Sequence, residues 1–223
     1  MPLLMASTKE QIVRAAERLF AQHGVDGVSL REIGTAAGTA NNSAVRYHFG
    51  SKEQLIQAIF DYRLPRLHER RRLLISEREP DDLRGWIECQ IRAVFEQSEL
   101  DGSHYLCFVD MLSAHGRRDM FRRMPPEFRE AADTLRAQLG SYLEHLPEPL
   151  RSRRIGTAMV LIVHVAASRE HARFAGHRVL PFAVEVAGLV DSTVGLLQAP
   201  VSPAARRAVD EADPADLTFP MFI

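Results

Sequence analysis

Apolar residues recur along most of the chain at the three- and four-residue spacing of a helix, and the alternation that makes a strand is nearly absent. Ile12, Ala16, Leu19 and Phe20 fall at i, i+4, i+7 and i+8, which is one stripe of an amphipathic helix. Ser7 and Glu10 have the S-x-x-E spacing of a capping box at its start, and Gly24 stops it. Ser29 with Glu32 opens a short second helix holding Leu30, Ile33 and Ala37 before Gly38. A third short helix is expected within Thr39 to His48. Ser51 with Gln54 forms another box and starts a long fourth helix through Leu55, Ile56, Ile59 and Phe60. Each box satisfies backbone N–H groups that a helix start otherwise leaves without partners.

Pro65 is expected to kink or end the fourth helix, because it removes a backbone donor and crowds the preceding turn. The run Arg63, Arg66, Arg70, Arg71, Arg72 reads as a solvated charged face that also adds diffuse attraction to a polyanion. Longer helices are expected near 81–99, 103–120, 126–146, 148–174 and 180–199. They are separated at Asp101-Gly102, Pro125-Pro126, Pro147-Glu148-Pro149 and Ala175-Gly176. From Pro200 the chain reads as a loose tail, or one docked by Phe219 and Phe222.

Composition narrows the class. The 223 residues are 46% hydrophobic and 26% charged, which excludes disordered and low-complexity chains. No apolar run approaches the ~20 residues of a membrane helix. The start MPLLMAS has no secretion-signal pattern, so a cytoplasmic protein is expected. Cys89 and Cys107 have no metal spacing and read as two buried thiols. Net charge is −1, but residues 1–78 carry 12 Lys/Arg against 8 Asp/Glu, a basic front on an acidic body.

Catalytic patterns are missing. There is no G-x-S-x-G, phosphate loop, G-x-G-x-x-G or H-E-x-x-H, and no cofactor is expected. The informative stretch is Ser29 to Lys52, two short helices joined at a Gly turn and braced by a helix on each side. That is a helix-turn-helix. Around Ala40 to Tyr47 it presents Asn41, Asn42, Ser43 and Arg46, whose amides, hydroxyl and guanidinium suit base edges or phosphates. Lys52 and the freed N–H groups at the start of the fourth helix suit a phosphate oxygen.

The segment Ala37-Gly38, followed by Val45-Arg46-Tyr47-His48-Phe49-Gly50-Ser51-Lys52-Glu53-Gln54-Leu55, resembles the DNA-binding domain of TetR-family transcriptional regulators. The resemblance covers residues 8–60. Arg46 stands where the family usually has an aromatic, and Gly38 to Phe49 is one residue longer than the common spacing. The resemblance implies DNA contact by Ser29, Thr39, Ala40, Asn41, Asn42, Ser43, Arg46, Tyr47, His48 and Lys52, with Tyr47 and His48 partly in the core.

Beyond the motif, Ile155 to Val165 and Phe182 to Leu197 are apolar nearly all round, and a helix apolar on every side must be buried on every side. A subunit partner is the natural second surface. The resemblance points the same way, to a homodimer formed by the last two helices. Met159, Ile162, Phe182, Val186, Leu189, Val190 and Leu197 are the expected interface. Asp110, His164 and Glu185 sit on apolar faces, either as satisfied buried polar groups or as anchors in a pocket. Arg92 is the competing partner for Asp110. With Trp86, Phe95, Phe108 and Met111, Asp110 and His164 make the expected lining of a site for a hydrophobic or amphipathic small molecule.

The expected architecture is all-α with about nine helices. Residues 1–50 form the helix-turn-helix domain, 51–199 an effector-binding and dimerisation bundle, and 200–223 a tail. The expected function is repression from a palindromic operator, relieved by a small molecule, with no membrane partner. The alternative is a helical small-molecule carrier or enzyme with a vestigial helix-turn-helix.

Overall fold

The computed structural model describes residues 7–39, 44–115 and 124–213, which form ten helices and no strand. In chain order they are α1 Thr8–His23, α2 Leu30–Ala36, α3 Ala44–Phe49, α4 Lys52–Arg78 and α5 Leu83–Ser98, then α6 Tyr105–Ala114, α7 Pro126–Ser141, α8 Glu148–Phe174, α9 Phe182–Gln198 and α10 Pro203–Glu211.

Two capping boxes close in both directions. Ser7 Oγ accepts from Glu10 N at 3.2 Å while Ser7 N donates to the Glu10 carboxylate at 3.0 Å, and Ser29 and Glu32 repeat the pattern at 3.2 and 2.7 Å. At α4 only half the box forms. Ser51 Oγ accepts from Gln54 N, but Ser51 N donates to Phe49 O at 2.7 Å and so has no need of the Gln54 side chain.

Pro65 neither ends nor splits α4, which runs through it for 27 residues. Both Pro65 and Asp61, whose carbonyl loses its helical donor, face solvent, so that carbonyl stays hydrated. The stretch after Pro200 also departs from expectation. Ser202 caps α10 by accepting from Ala205 N at 3.2 Å, and Pro203 fits the first turn. No α10 residue is buried; Arg154 fastens the approach by donating to the Ala199 and Pro200 carbonyls. Phe219 and Phe222 lie outside the described residues.

The main apolar core runs from Ile12 and Phe20 on α1, through Ile59 and Phe60 on α4 and Phe95 on α5, to Leu197 on α9, and Leu74, Cys89 and Ala93 form a small second cluster between α4 and α5. Phe108 of α6 lies between Phe20 and Phe60, with ring centroids at 6.3 and 5.8 Å. The N-terminal helices are therefore packed on the body rather than tethered to it.

Candidate nucleic-acid interface and central cavity

The helix-turn-helix is positioned by packing at its turn. Thr39 N and Oγ1 both donate to Gly34 O, at 3.1 and 2.9 Å, and fold the chain back after Gly38, whose φ is +69°. A side chain at Gly34 would lie 3.3 Å from both Thr39 Oγ1 and Val45 Cγ2, so a Cβ there would crowd the α2–α3 approach. Ala40, Asn41, Asn42 and Ser43, the expected start of the reading helix, lie outside the described residues.

Within α3, Val45 and Phe49 are four apart and buried, which turns Arg46, Tyr47 and His48 outward. Tyr47 is 85% exposed and, among the described residues, meets the edge of His48 at 5.2 Å between ring centroids. The expectation that Tyr47 and His48 lie partly in the core is corrected: Val45 and Phe49 fill the inward face of this short helix. Lys52 is also placed differently. Its Nζ donates to Val25 O at 2.8 Å and braces the α1–α2 connection. Ser29 is exposed but occupied by its cap, and Thr39 is half-buried in its turn.

Arg63, read from sequence as part of a solvated run, is buried. Its guanidinium grips Glu17 of α1 through two hydrogen bonds of 2.7 Å. Its position on the Ile56, Ile59, Phe60 stripe, three residues after Phe60, was the available signal. Arg169, also buried, pairs with Glu99 at 2.7 Å and with Glu185, and donates to Leu180 O; Glu185 is thus a satisfied polar group.

A cavity of about 90 Å³ lies among α4, α5, α6, α7 and α8. Phe60, Leu64, Tyr105, Leu106, Phe128 and Met159 belong to its apolar wall, and His68, Arg71, Gln90 and Arg136 to its polar one. Burial pushes the His68 imidazole down to about 4, so the ring is neutral near pH 7.

The residues expected to line a pocket are placed elsewhere. Phe95 and Phe108 are core, Met111 is buried, and Trp86 packs half-buried against the core. Asp110 and His164 face each other at 3.2 Å on the surface, with the His164 side chain 63% exposed. Arg92 pairs with Glu88 and not with Asp110. The inward face of α6 is Leu106, Val109 and Leu112, and Asp110 is half-buried beside it, so the expectation that Asp110 sits on an apolar face is corrected.

The expected dimer residues need a similar correction. Met159 lines the cavity; Ile162, Val186, Leu189, Val190 and Leu197 are buried within the single chain; Phe182 is half-buried against Phe95. The α8 and α9 helices are not apolar all round, since Thr157, His164, Ser168, Asp191 and Ser192 face outward. Their exposed large apolar residues are Val160, Phe174 and Val184, at 46%, 57% and 56%.

Among the described residues no group of three or more His, Cys, Asp or Glu is placed to hold a metal. Cys89 and Cys107 are free, and burial pushes both thiols up, away from reactive thiolates. Among the described helices, no single one is long and apolar enough to cross a membrane.

Residues 12–59 match the family model described as bacterial regulatory proteins, tetR family. The HTH-type transcriptional regulator TtgR of Pseudomonas putida is 37% identical over 98 residues, covering 42% of this chain and 44% of TtgR. The HTH-type transcriptional repressor AcnR of Corynebacterium efficiens is 36% identical over 53 residues, 24% of this chain and 28% of AcnR. The chain thus spans less than half the length of these curated relatives. In fold, the fatty acid degradation regulator FadR from Bacillus halodurans superposes with a TM-score of 0.59 at 17% identity, covering 88% of this chain and 99% of that one. A TetR family transcription regulator from Marinobacter aquaeolei gives 0.53 at 17% identity, covering 83% and 94%. These likenesses show a shared all-helical fold. Residues 12–59 thus match the tetR family of bacterial regulatory proteins in sequence, and the chain shares an all-helical fold with these two solved regulators.

Proposed function

We propose that the protein binds a palindromic operator as a homodimer, represses transcription there, and is released by a small molecule entering the cavity of the helical body. The observation that carries this reading is α3: Val45 and Phe49 bury one face and leave Arg46, Tyr47 and His48 projecting from the matched region. In a helix-turn-helix such a helix enters the major groove, and a two-fold dimer sets two of them about one helical turn of DNA apart. Arg46, Tyr47 and His48, with Asn41, Asn42 and Ser43 before them, are the proposed contacts. Lys52 supports them by holding the α1–α2 connection. The exposed Val160 and Val184 belong to the proposed dimer surface.

Coupling would run along α4, which begins beside α3, passes the Arg63–Glu17 pair and reaches the cavity at His68 and Arg71. A ligand that binds one arrangement of α4 better than another shifts the population toward it. Recovery of DNA bound to the protein across the source genome, followed by titration of the recovered site with purified protein, tests the reading. Enrichment of palindromic sites is expected. Absence of any enriched site overturns the proposal.

A further inference from the structure

Among the described residues, Arg71 is the arginine on the cavity wall that has no carboxylate partner. On the same helix, Arg63 is matched by Glu17, Arg70 by Glu96 and Arg78 by Glu88; across from it on α5, Arg92 also takes Glu88. Arg136, the other guanidinium on the cavity wall, is held by Asp133. Arg71 has only neutral partners among the described residues. Its Nη2 donates to His68 Nδ1 at 2.8 Å, and its Nη1 reaches Gln90 Oε1 at 3.4 Å. Burial works against its charge with no opposing carboxylate nearby.

The two neutral partners sharpen the chemistry. Because His68 accepts through Nδ1 and its ring is neutral, its hydrogen sits on Nε2, which can only donate. Gln90 commits its oxygen to Arg71 and retains its amide hydrogens. The polar wall therefore offers donors and positive charge, while the rest of the cavity is apolar and aromatic. We propose that the cavity takes a small carboxylic acid with a compact apolar body, its carboxylate received by Arg71 and its body by Phe60, Leu106 and Phe128.

A carboxylate only accepts hydrogen bonds and can meet a guanidinium in the two-pronged geometry that other arginines here already use. A neutral alcohol leaves the guanidinium without a counter-charge, and an amine repels it. The volume of about 90 Å³ favours a single ring or a short chain over a drug-sized molecule. Met124 and Met159 on the wall can shift to fit the exact shape. This inference names the effector class for the proposed regulator and rests on that reading only for its regulatory meaning.

The test is calorimetry on the full chain without DNA, using phenylacetate and hexanoate as probes beside 2-phenylethanol, 2-phenylethylamine, hexan-1-ol and hexylamine. At least one carboxylate should bind about tenfold or more tighter than its alcohol and amine. Arg71→Gln should erase that preference, and Arg71→Lys should keep part of it. Circular dichroism and the urea midpoint of unliganded Arg71→Gln should match wild type, which shows that the variant is folded. If Arg71→Gln does not fold, the comparison of the six probes on wild type decides alone. No binding of either carboxylate at millimolar concentration overturns the inference, as do equal affinities within each set. Failure of the regulator reading is seen separately, as absence of an enriched operator. Carboxylate binding without an operator would leave the cavity chemistry standing.

Discussion

Glu17 of α1 and Arg63 of α4 meet in a buried ion pair, Nε to Oε2 and Nη2 to Oε1 both at 2.7 Å, and Glu17 Oε1 also accepts the backbone N–H of His104 at 2.9 Å. One carboxylate thus ties the first helix of the DNA-binding region to α4 and to the start of α6, which lines the cavity with Tyr105 and Leu106. Removing one member of such a pair leaves the other charged and desolvated. Glu17→Leu or Arg63→Met should each lower unfolding free energy by about 3–5 kcal/mol in urea titrations, and the double variant should lose less than the two combined. Additive losses would show that the two side chains do not act as a pair.

Tyr47 presents its ring to solvent and packs only on the edge of His48 among the described residues. Tyr47→Ala should leave stability within about 0.5 kcal/mol of wild type, as is usual for surface changes. It should nonetheless weaken operator binding about tenfold or more if α3 enters the groove, a loss on the scale of one good contact. Fluorescence anisotropy with a labelled operator reads this directly. Unchanged affinity would remove Tyr47 from the interface.

Lys52 is held by Val25 O. Lys52→Met should cost about 1 kcal/mol of stability, the scale of one intramolecular hydrogen bond. If the ammonium stays on that carbonyl when DNA binds, the slope of log affinity against log salt should not change. A slope reduced by about one would instead mean that Lys52 swings to a phosphate.

The elements were largely legible in sequence, because capping residues and helix breakers act locally: Ser7, Ser29, Gly24 and Pro126 all stand at the helix ends they announce. Pro65 misled because the local cost of a proline, about 3 kcal/mol, is outweighed by packing on both sides of it, where Ile59, Phe60, Leu64 and Leu74 are buried, and that packing is a tertiary property. The inward-facing residues were less legible. A six-residue α3 shows too little periodicity to place Tyr47, and Asp110 looked buried until His164, 54 residues on, proved to sit beside it at the surface. The cavity could not be read from Trp86, Phe95 and Phe108, because big aromatics mark core and pocket alike. Arg71 was visible only as one charge in a run; its lack of a carboxylate among the described residues depends on what α5 and α7 bring near it.

Leu197 and Val184 lie on the same helix but should respond differently to a charge. Leu197 is buried within the chain, so Leu197→Arg should lower the melting temperature of the subunit itself, by desolvating an unpaired cation. Val184 is exposed in the single chain, so Val184→Arg or Val160→Arg should leave the fold intact and shift the proposed dimer toward monomer in sedimentation velocity. A dimer that persists in both exposed variants would move the interface away from these faces.

His68 supplies a pH signature. Burial lowers its pKa in the fold from an ordinary 6.5 to about 4, with the Arg71 charge acting in the same direction. Well above pH 6.5 the ring is neutral folded or unfolded and contributes no pH dependence. As pH falls from 6.5 toward 4 the unfolded chain takes up a proton that the folded chain resists, so this group makes the protein progressively less stable. The full shift corresponds to a loss of up to about 3 kcal/mol near pH 4, reduced by the solvent that reaches the ring. His68→Asn keeps an acceptor for Arg71 and removes the titration. It should carry a constant offset above pH 6.5 and gain on wild type as pH drops below it. Urea titrations of the two proteins at half-unit steps from pH 7.5 to about 4.5 would trace the difference, and subtraction cancels the carboxylates that titrate in both. Parallel curves across that range would place His68 in contact with solvent, with an ordinary pKa and no part in a dry cavity wall.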